Sequence, residues 1–254
     1  MLGLELHHFA ALFLAALVAG FVDAIAGGGG IITIPALMAV GLPPHLVLGT
    51  NKCQACFGSA MATWRYAGSG LMEVRKMGLI IVWTAIGAAV GTITIQHISQ
   101  EILRHVMVVL LFILFVYSCL VRDFGREHRP HRMPHAVFAV LFGLLLGFYD
   151  GFFGPGTGTF WTIAFVMLMG LDLRRATGHT KVVNLTSNIV SLIFFLAAGQ
   201  VVVLVGLIMG VGQAIGAHIG SHMVLKRGIR FIRACFLCVV ALTLCRLIYT
   251  TYLR

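Results

Sequence analysis

The sequence predicts an all-α fold: a polytopic transmembrane helical bundle made of two inverted repeats, each carrying a helix broken at a glycine-rich stretch. Three observations carry that prediction. First, of 254 residues 59% are hydrophobic and only 10% charged, with a mean hydropathy of +1.00. A water-soluble domain carries about a quarter charged residues to keep its surface hydrated. Second, the apolar residues fall in long runs separated by short charged clusters, as expected of helices that each need about 20 apolar residues to cross a bilayer. Third, a set of motifs recurs in the same order in two halves of the chain.

The apolar runs extend over Phe9–Ala26, Ile31–Val40, Leu46–Trp64, Met77–Ile95, Ile102–Val121, Ala136–Phe153, Thr159–Leu171, Val182–Ala198, Val201–His218 and Ile229–Tyr252. They amount to about 8 to 10 membrane segments, depending on how the broken ones are counted. Glu5 is the only charge before the first run, so that run lacks the basic start of a removable signal peptide and is expected to stay as a span. Ile31–Val40 and Thr159–Leu171 are too short to cross at about 1.5 Å per residue. Each follows a break: Gly27-Gly28-Gly29-Gly30 in one case and Gly154-Pro155-Gly156-Thr157-Gly158 in the other.

The breaks belong to an internal repeat. Gly20-Phe21-Val22-Asp23 is echoed by Gly147-Phe148-Tyr149-Asp150, and Gly49-Thr50-Asn51-Lys52 by Gly178-His179-Thr180-Lys181. Gly87-Ala88-Ala89-Val90-Gly91 is echoed by Gly212-Gln213-Ala214-Ile215-Gly216. The halves are residues 1–133 and 134–254, joined by the polar stretch Arg122–His135. An odd number of crossings or part-crossings per half inverts the second half relative to the first. With the amino terminus outside, Arg65, Arg75, Lys76, Arg122, Arg126, Arg129, Arg132, Arg174, Arg175, Lys226, Arg227, Arg230 and Arg233 all fall on the cytoplasmic side, leaving Arg104 and Arg254 outside. That bias matches the positive-inside rule and places both termini outside a bacterial-type inner membrane. The net charge of +10 is thereby a set of topology signals, not a nucleic-acid footprint.

A glycine cluster inside an apolar run costs about 0.8–1.0 kcal/mol per residue as helix. Backbone freed from helical bonding survives at membrane depth only where protein buries it or it lines a watery cavity. A helix that restarts there presents backbone N–H groups and the positive end of its dipole, which suits an anion. Gly28, Gly29, Gly30, Gly156, Thr157 and Gly158 are therefore candidate substrate-binding residues. The competing reading is that the glycines only let two helices approach closely.

Lys52 and Lys181, each at the start of an apolar helix, join the candidate site with Asn51, Thr180 and Asn184. A cation inside the membrane costs roughly 2.5–3.5 kcal/mol, so each lysine needs a partner: Asp23, Asp150 or a translocated anion. A structural Lys–Asp pair, or a lysine snorkelling to the interface, is the alternative to an anion-attracting role. Asp23 and Asp150, one turn before the breaks, fit either proton coupling or anchoring of freed backbone N–H groups. His45 and His179 sit in polar loops near the same region and read as structural.

Cys53, Cys56, Cys119, Cys235, Cys238 and Cys245 all lie in apolar runs, where free cysteine behaves as a small hydrophobe. Cys53/Cys56 and Cys235/Cys238 have soft-metal spacing, but no histidine or carboxylate completes a set, so no metal or other cofactor is expected. No nucleophile stands beside a base and no phosphate-gripping loop is present, so the chain does not read as an enzyme. The implied partners are a small anionic substrate and the lipid bilayer. Gly87, Gly91, Gly212, Gly216 and Gly220 favour close helix packing within or between protomers, which leaves a homo-oligomer open.

The first-half signature, Gly20-Phe21-Val22-Asp23-Ala24-Ile25-Ala26 with Gly27–Gly30, then Thr33-Ile34-Pro35-Ala36-Leu37 and Gly49-Thr50-Asn51-Lys52, resembles the sulfite exporter TauE/SafE family. The second-half matches at 147–151, 154–158 and 178–181 extend the resemblance over nearly the whole chain. It implies an inner-membrane permease for sulfur-containing anions such as sulfite or organosulfonates, working as a secondary transporter. A channel-like uniporter without proton coupling and a membrane scaffold or assembly factor are the competing readings.

Overall fold

The computed structural model describes residues 5–70, 72, 77–103, 105–107, 109, 113 and 133–226. Arg75, Lys76, Arg104, most of the run Ile102–Val121, the basic loop 122–132, Cys119, Arg227, the whole run Ile229–Tyr252 with the Cys235/Cys238 pair and Cys245, and Arg254 lie outside the described residues. The described chain is all-helical: α1 Leu6–Ala26, α2 Gly30–Ala39, α3 Pro44–Gly68, α4 Gly78–Gln96, α5 His135–Phe152, α6 Thr157–Leu168, α7 Leu173–Ala197 and α8 Val203–Lys226. Residues 100–103 and 105–107 are helical as well. Among the described residues five helices (α1, α4, α5, α7 and α8) are long and apolar enough to cross a membrane. α3 equals α7 in length, but Thr50, Asn51, Lys52 and Gln54 lower its hydropathy, and they are all buried against protein.

Helix boundaries follow local chemistry. α3 begins at Pro44, whose missing N–H costs nothing in a first turn. Asp172 caps α7 by accepting from the N–H groups of Arg174 and Arg175, both at 3.0 Å. These caps start α3 and α7 earlier than hydropathy suggests. Lys52 and Lys181 therefore stand about two turns inside their helices, not at the starts, and His45 and His179 are helical, not in loops.

Two buried apolar cores mark the two ends of the bundle. One gathers the first part of α1 (Leu12, Ala16, Ala19), all of α2, the start of α3 (Val47, Leu48), the end of α4 (Ile95), the end of α7 (Phe195) and the start of α8 (Val205). The other gathers the end of α1 (Ala24, Ile25), the end of α3 (Ala62, Tyr66), the start of α4 (Ile80), the start of α5 (Phe138, Ala139), all of α6, the start of α7 (Ala176) and the end of α8 (Val224). Repeat-related helices thus run in opposite directions: α1 enters the second core where α5 leaves it. That is the inverted arrangement expected from an odd number of segments in each half.

The same distribution settles the course of the short helices. α2 shares a core with the beginning of α1, and α6 brings Trp161 and Phe165 onto Phe138 near the start of α5, with ring centroids 6.2 and 5.2 Å apart. Each short helix therefore folds back along its predecessor as a re-entrant hairpin. At 10 and 12 residues they reach about 15 and 18 Å, roughly half the hydrocarbon thickness.

Glycine sets the closest helix contacts. α8 runs parallel to α1, with Gly212 against Phe13, Gly216 against Leu17 and Gly220 against Phe21; a Cβ at any of them would collide with the α1 backbone. α4 and α5 repeat the arrangement through Gly87 and Gly91 on one side and Gly143, Gly147 and Gly151 on the other. All five glycines that left oligomerisation open are thus spent on packing within the chain. The outward faces are apolar: Val82, Ile86, Val90 and Ile93 on α4, and Leu204, Leu207, Val211, Ile215 and Ile219 on α8. The polar residues lie at the centre instead, as a lipid-facing surface requires.

Candidate functional site

The two breaks meet face to face between the cores. A Cβ on Gly27 would lie 2.6 Å from the Gly158 main chain, and one on Gly30 would lie 3.2 Å from the Pro155 ring. Gly27 and Gly28 hold φ of 75° and 106°, and Gly154 and Gly156 hold 96° and 80°, conformations that cost little only without a Cβ. These torsions let the chain reverse within a few residues and let the two turns touch.

Around that junction the charges pair crosswise. Lys52 on α3 donates to Asp150 Oδ1 on α5 at 2.7 Å and to Asn188 Oδ1 on α7 at 3.2 Å. Lys181 on α7 reaches Asp23 on α1, donating to its main-chain carbonyl and to Oδ2, the latter at 3.2 Å. Each repeat thus neutralises the aspartate of the other. The lysine side chains are 3% and 0% exposed, so neither ammonium snorkels to an interface. Burial on this scale is sustainable only because each charge has its partner.

What surrounds each carboxylate differs. Asp23 Oδ1 accepts from the backbone N–H groups of Gly28 and Gly29, at 3.0 and 3.2 Å. The start of α2 therefore does hold an anion, and it is the protein's own carboxylate. Asp150 makes no such contact among the described residues; its Oδ2 takes the hydroxyl of Ser187. At α6 the first-turn N–H groups of Thr157, Thr159 and Phe160 bond to the carbonyls of Gly154 and Gly156.

A small cavity of about 30 Å³, enough for a water molecule, lies between the pairs. Of the sequence-predicted residues, Gly28, Gly29, Gly30, Asn51, Lys52, Thr157, Gly158, Asn184, Asp23 and Asp150 line it. Gly156, Thr180 and Lys181 do not: Gly156 serves as the N-cap of α6, Thr180 shares a hydrogen bond with Thr162 at 3.1 Å, and Lys181 is turned to Asp23. Asn51 accepts from Thr33 at 2.6 Å and Gln54 at 2.9 Å, tying α2 to α3.

Sequence reasoning gave no site role to Ala55, Gly154, Asn188 and Gln213, which also line the cavity. Gln213 had a signal: it is the polar member of a repeat echo whose counterpart is Ala88. Cys53 and Cys56 are free, and no group of three metal-ligating side chains occurs among the described residues.

The family model for the sulfite exporter TauE/SafE matches residues 12–247. A relative from Escherichia coli K12, "Probable membrane transporter protein YfcA", is 42% identical over 241 residues, 95% of this chain and 90% of the relative. "Probable membrane transporter protein" from Haemophilus influenzae is 39% identical over 91% of this chain and 90% of its own length. "Probable membrane transporter protein ORF9" from Sinorhizobium sp is 40% identical over 92% and 89% respectively. No solved structure matches the chain. With opposed repeats, re-entrant hairpins meeting at a buried polar centre, and this degree of likeness along its length, the chain belongs to the TauE/SafE family of membrane transporters.

Proposed function

We propose that this transporter carries small sulfur-containing anions, sulfite or organosulfonates, across the inner membrane by a secondary mechanism, with the substrate held where the two breaks meet. The observation that supports it best is the pair of buried lysines, each held by a single aspartate of the opposite repeat. An anion has two ready ammonium partners there once the pairs part. The cavity of about 30 Å³ is closed around a water-sized space, so an oxyanion enters only as the hairpins separate. The halves 1–133 and 134–254, being opposed in direction, allow an opening toward each face of the membrane.

Orientation follows the charges. Arg65, Arg174 and Arg175 lie at the end of the bundle that holds the starts of α5 and α7, while Glu5 and Glu101 lie at the other. Positive-inside bias places the arginine end in the cytoplasm and both termini outside. The test is flux of radiolabelled sulfite and methanesulfonate into proteoliposomes, comparing the native chain with Lys52→Met and Lys181→Met. Saturable flux lost in both variants supports the reading. Flux of neither anion by folded protein removes it, and copurification with a defined complex then favours a scaffold.

A further inference from the structure

Resting on the reading of this chain as an anion transporter, we infer that Asp150 alone carries a proton during the transport cycle, while Asp23 stays ionised as a fixed part of the first hairpin. The two aspartates are repeat-related and each faces a lysine, but the other groups around them differ in kind.

Asp23 is surrounded by donors. Its Oδ1 takes the N–H groups of Gly28 and Gly29 at 3.0 and 3.2 Å, and its Oδ2 takes Lys181 at 3.2 Å. Among the described residues its bonded partners are two backbone N–H groups and an ammonium, none of which can turn round and accept the hydrogen of a carboxylic acid. When Lys181 moves away, the two amides still satisfy the charge.

Asp150 has a partner that serves either form. Its Oδ2 takes the Ser187 hydroxyl, and the same hydroxyl lies 3.1 Å from the main-chain carbonyl of Asn184. Ser187 has one hydrogen and two lone pairs. With Asp150 ionised the hydrogen points at Oδ2. With Asp150 protonated it turns to the Asn184 carbonyl, and a lone pair accepts the acid proton. Apart from this hydroxyl, Lys52 is the only hydrogen-bonding partner of the Asp150 side chain among the described residues.

The charge balance gives the coupling. In the closed state Lys52 and Asp150 neutralise each other across 2.7 Å. An incoming anion takes over the Lys52 ammonium, leaving Asp150, 4% exposed, without a counter-charge. A buried carboxylate in that position takes a proton rather than remain charged. The closed pair plus one anion plus one proton thus becomes a lysine–anion pair plus a neutral acid, and no net charge enters the site. Release on the far side returns the proton and re-forms the pair.

The titratable groups facing Asp150 are Lys52 and Cys56 on α3 and, across the cavity, Asp23 on α1; Lys181 on α7 is held by Asp23. α4 packs Thr84, Ala88 and Thr92 against this part of α5 and α6 presents Thr157, none of which titrates. Tyr149, beside Asp150 in sequence, gives its hydroxyl to the Pro155 carbonyl.

The test is the proton-to-anion ratio in proteoliposomes of the full chain, reading labelled sulfite or methanesulfonate together with a pH dye inside the vesicle. All variants are compared under one condition, so any proton carried by the anion itself cancels. Asp150→Asn should remove about one proton per anion and leave a slower flux that no longer responds to a pH gradient. Asp23→Asn should slow flux yet keep the native ratio. Ser187→Ala should lower the ratio and Ser187→Thr restore it, which a purely structural role would not produce. An unchanged ratio in Asp150→Asn, a ratio lost in Asp23→Asn, or native flux without proton movement overturns the inference and leaves anion transport standing. Flux of neither anion by the folded native chain overturns the transport reading with it.

Discussion

The two helix breaks occupy equivalent places in the repeat, yet they are held by different means. The first is tied from within: Asp23 binds the backbone of its own turn through Gly28 and Gly29, and Lys181 is an additional partner. The second is tied from outside: Asp150 touches no backbone N–H of its turn and depends on Lys52 and Ser187 from two other helices. Duplication supplies the same residues twice, and the surroundings divide the work. One break is fixed by its own backbone, and the other hangs on an ion pair between helices.

That contrast breaks most readily at the lysines. Lys52→Met leaves Asp150 buried with one hydroxyl, and should cost about 3–5 kcal/mol, as for other buried charges stripped of a partner. Lys181→Met leaves Asp23 its two amides and should cost about 1–3 kcal/mol. Thermal unfolding in detergent measures both, and equal losses would abolish the distinction between the breaks. Adding Asp150→Asn to Lys52→Met should recover part of the stability, because no charge is then left unpaired.

Next in size are the turn glycines. Gly27→Ala combines a left-handed torsion with a Cβ 2.6 Å from the Gly158 main chain, and should cost about 2–4 kcal/mol. Gly154→Ala meets Asp150 Oδ1 at 3.0 Å, Lys52 Nζ at 3.1 Å and the Asp150 main-chain oxygen at 3.2 Å, looser than the main-chain contact of Gly27, and should cost about 1–2 kcal/mol, mostly torsional. Flux should fall with both, because the added methyl in Gly154→Ala presses on the ion pair itself. An equal or reversed order in unfolding temperature would show the second turn to be the stiffer.

The smallest effect separates two symmetry-related aromatics. Tyr66 packs near Gly178, and Phe195 near Gly49, at matching places in the repeat. Only Tyr66 has a hydroxyl, which bonds to the Ala24 carbonyl at 2.9 Å just before the first break. Tyr66→Phe should cost about 1 kcal/mol and make the first half resemble the second. A larger loss would mean that this one bond steadies the whole first turn.

Much of the bundle was legible in the chain. The breaks fall at residues 27–29 and 153–156, where the glycine clusters placed them, because no apolar run can remain helical through such a cluster at acceptable cost. The opposed direction of the halves was legible as well, from the odd count of segments and the side on which the basic residues fall. The starts of α3 and α7 were not, since hydropathy marks where lipid begins and caps such as Pro44 and Asp172 mark where hydrogen bonding begins. Ten of the thirteen candidate residues line the cavity, because polar groups in lipid must converge. Gly156, Thr180 and Lys181 failed to, since each is engaged by a neighbour that only the packing brings near.

By itself the sequence determined that this chain lives in a membrane, that it is a duplicated helical bundle, and that each copy contains a break, an acid and a lysine in its apolar segments. Those features rest on hydropathy, backbone propensity and charge, which act along the chain. Tertiary structure alone decided that the short helices turn back, that the breaks abut, and that Lys52 meets Asp150 while Lys181 meets Asp23. It also decided that the two aspartates differ, for a carboxylate's character is set by the donors and acceptors around it, and those come from helices far apart in sequence.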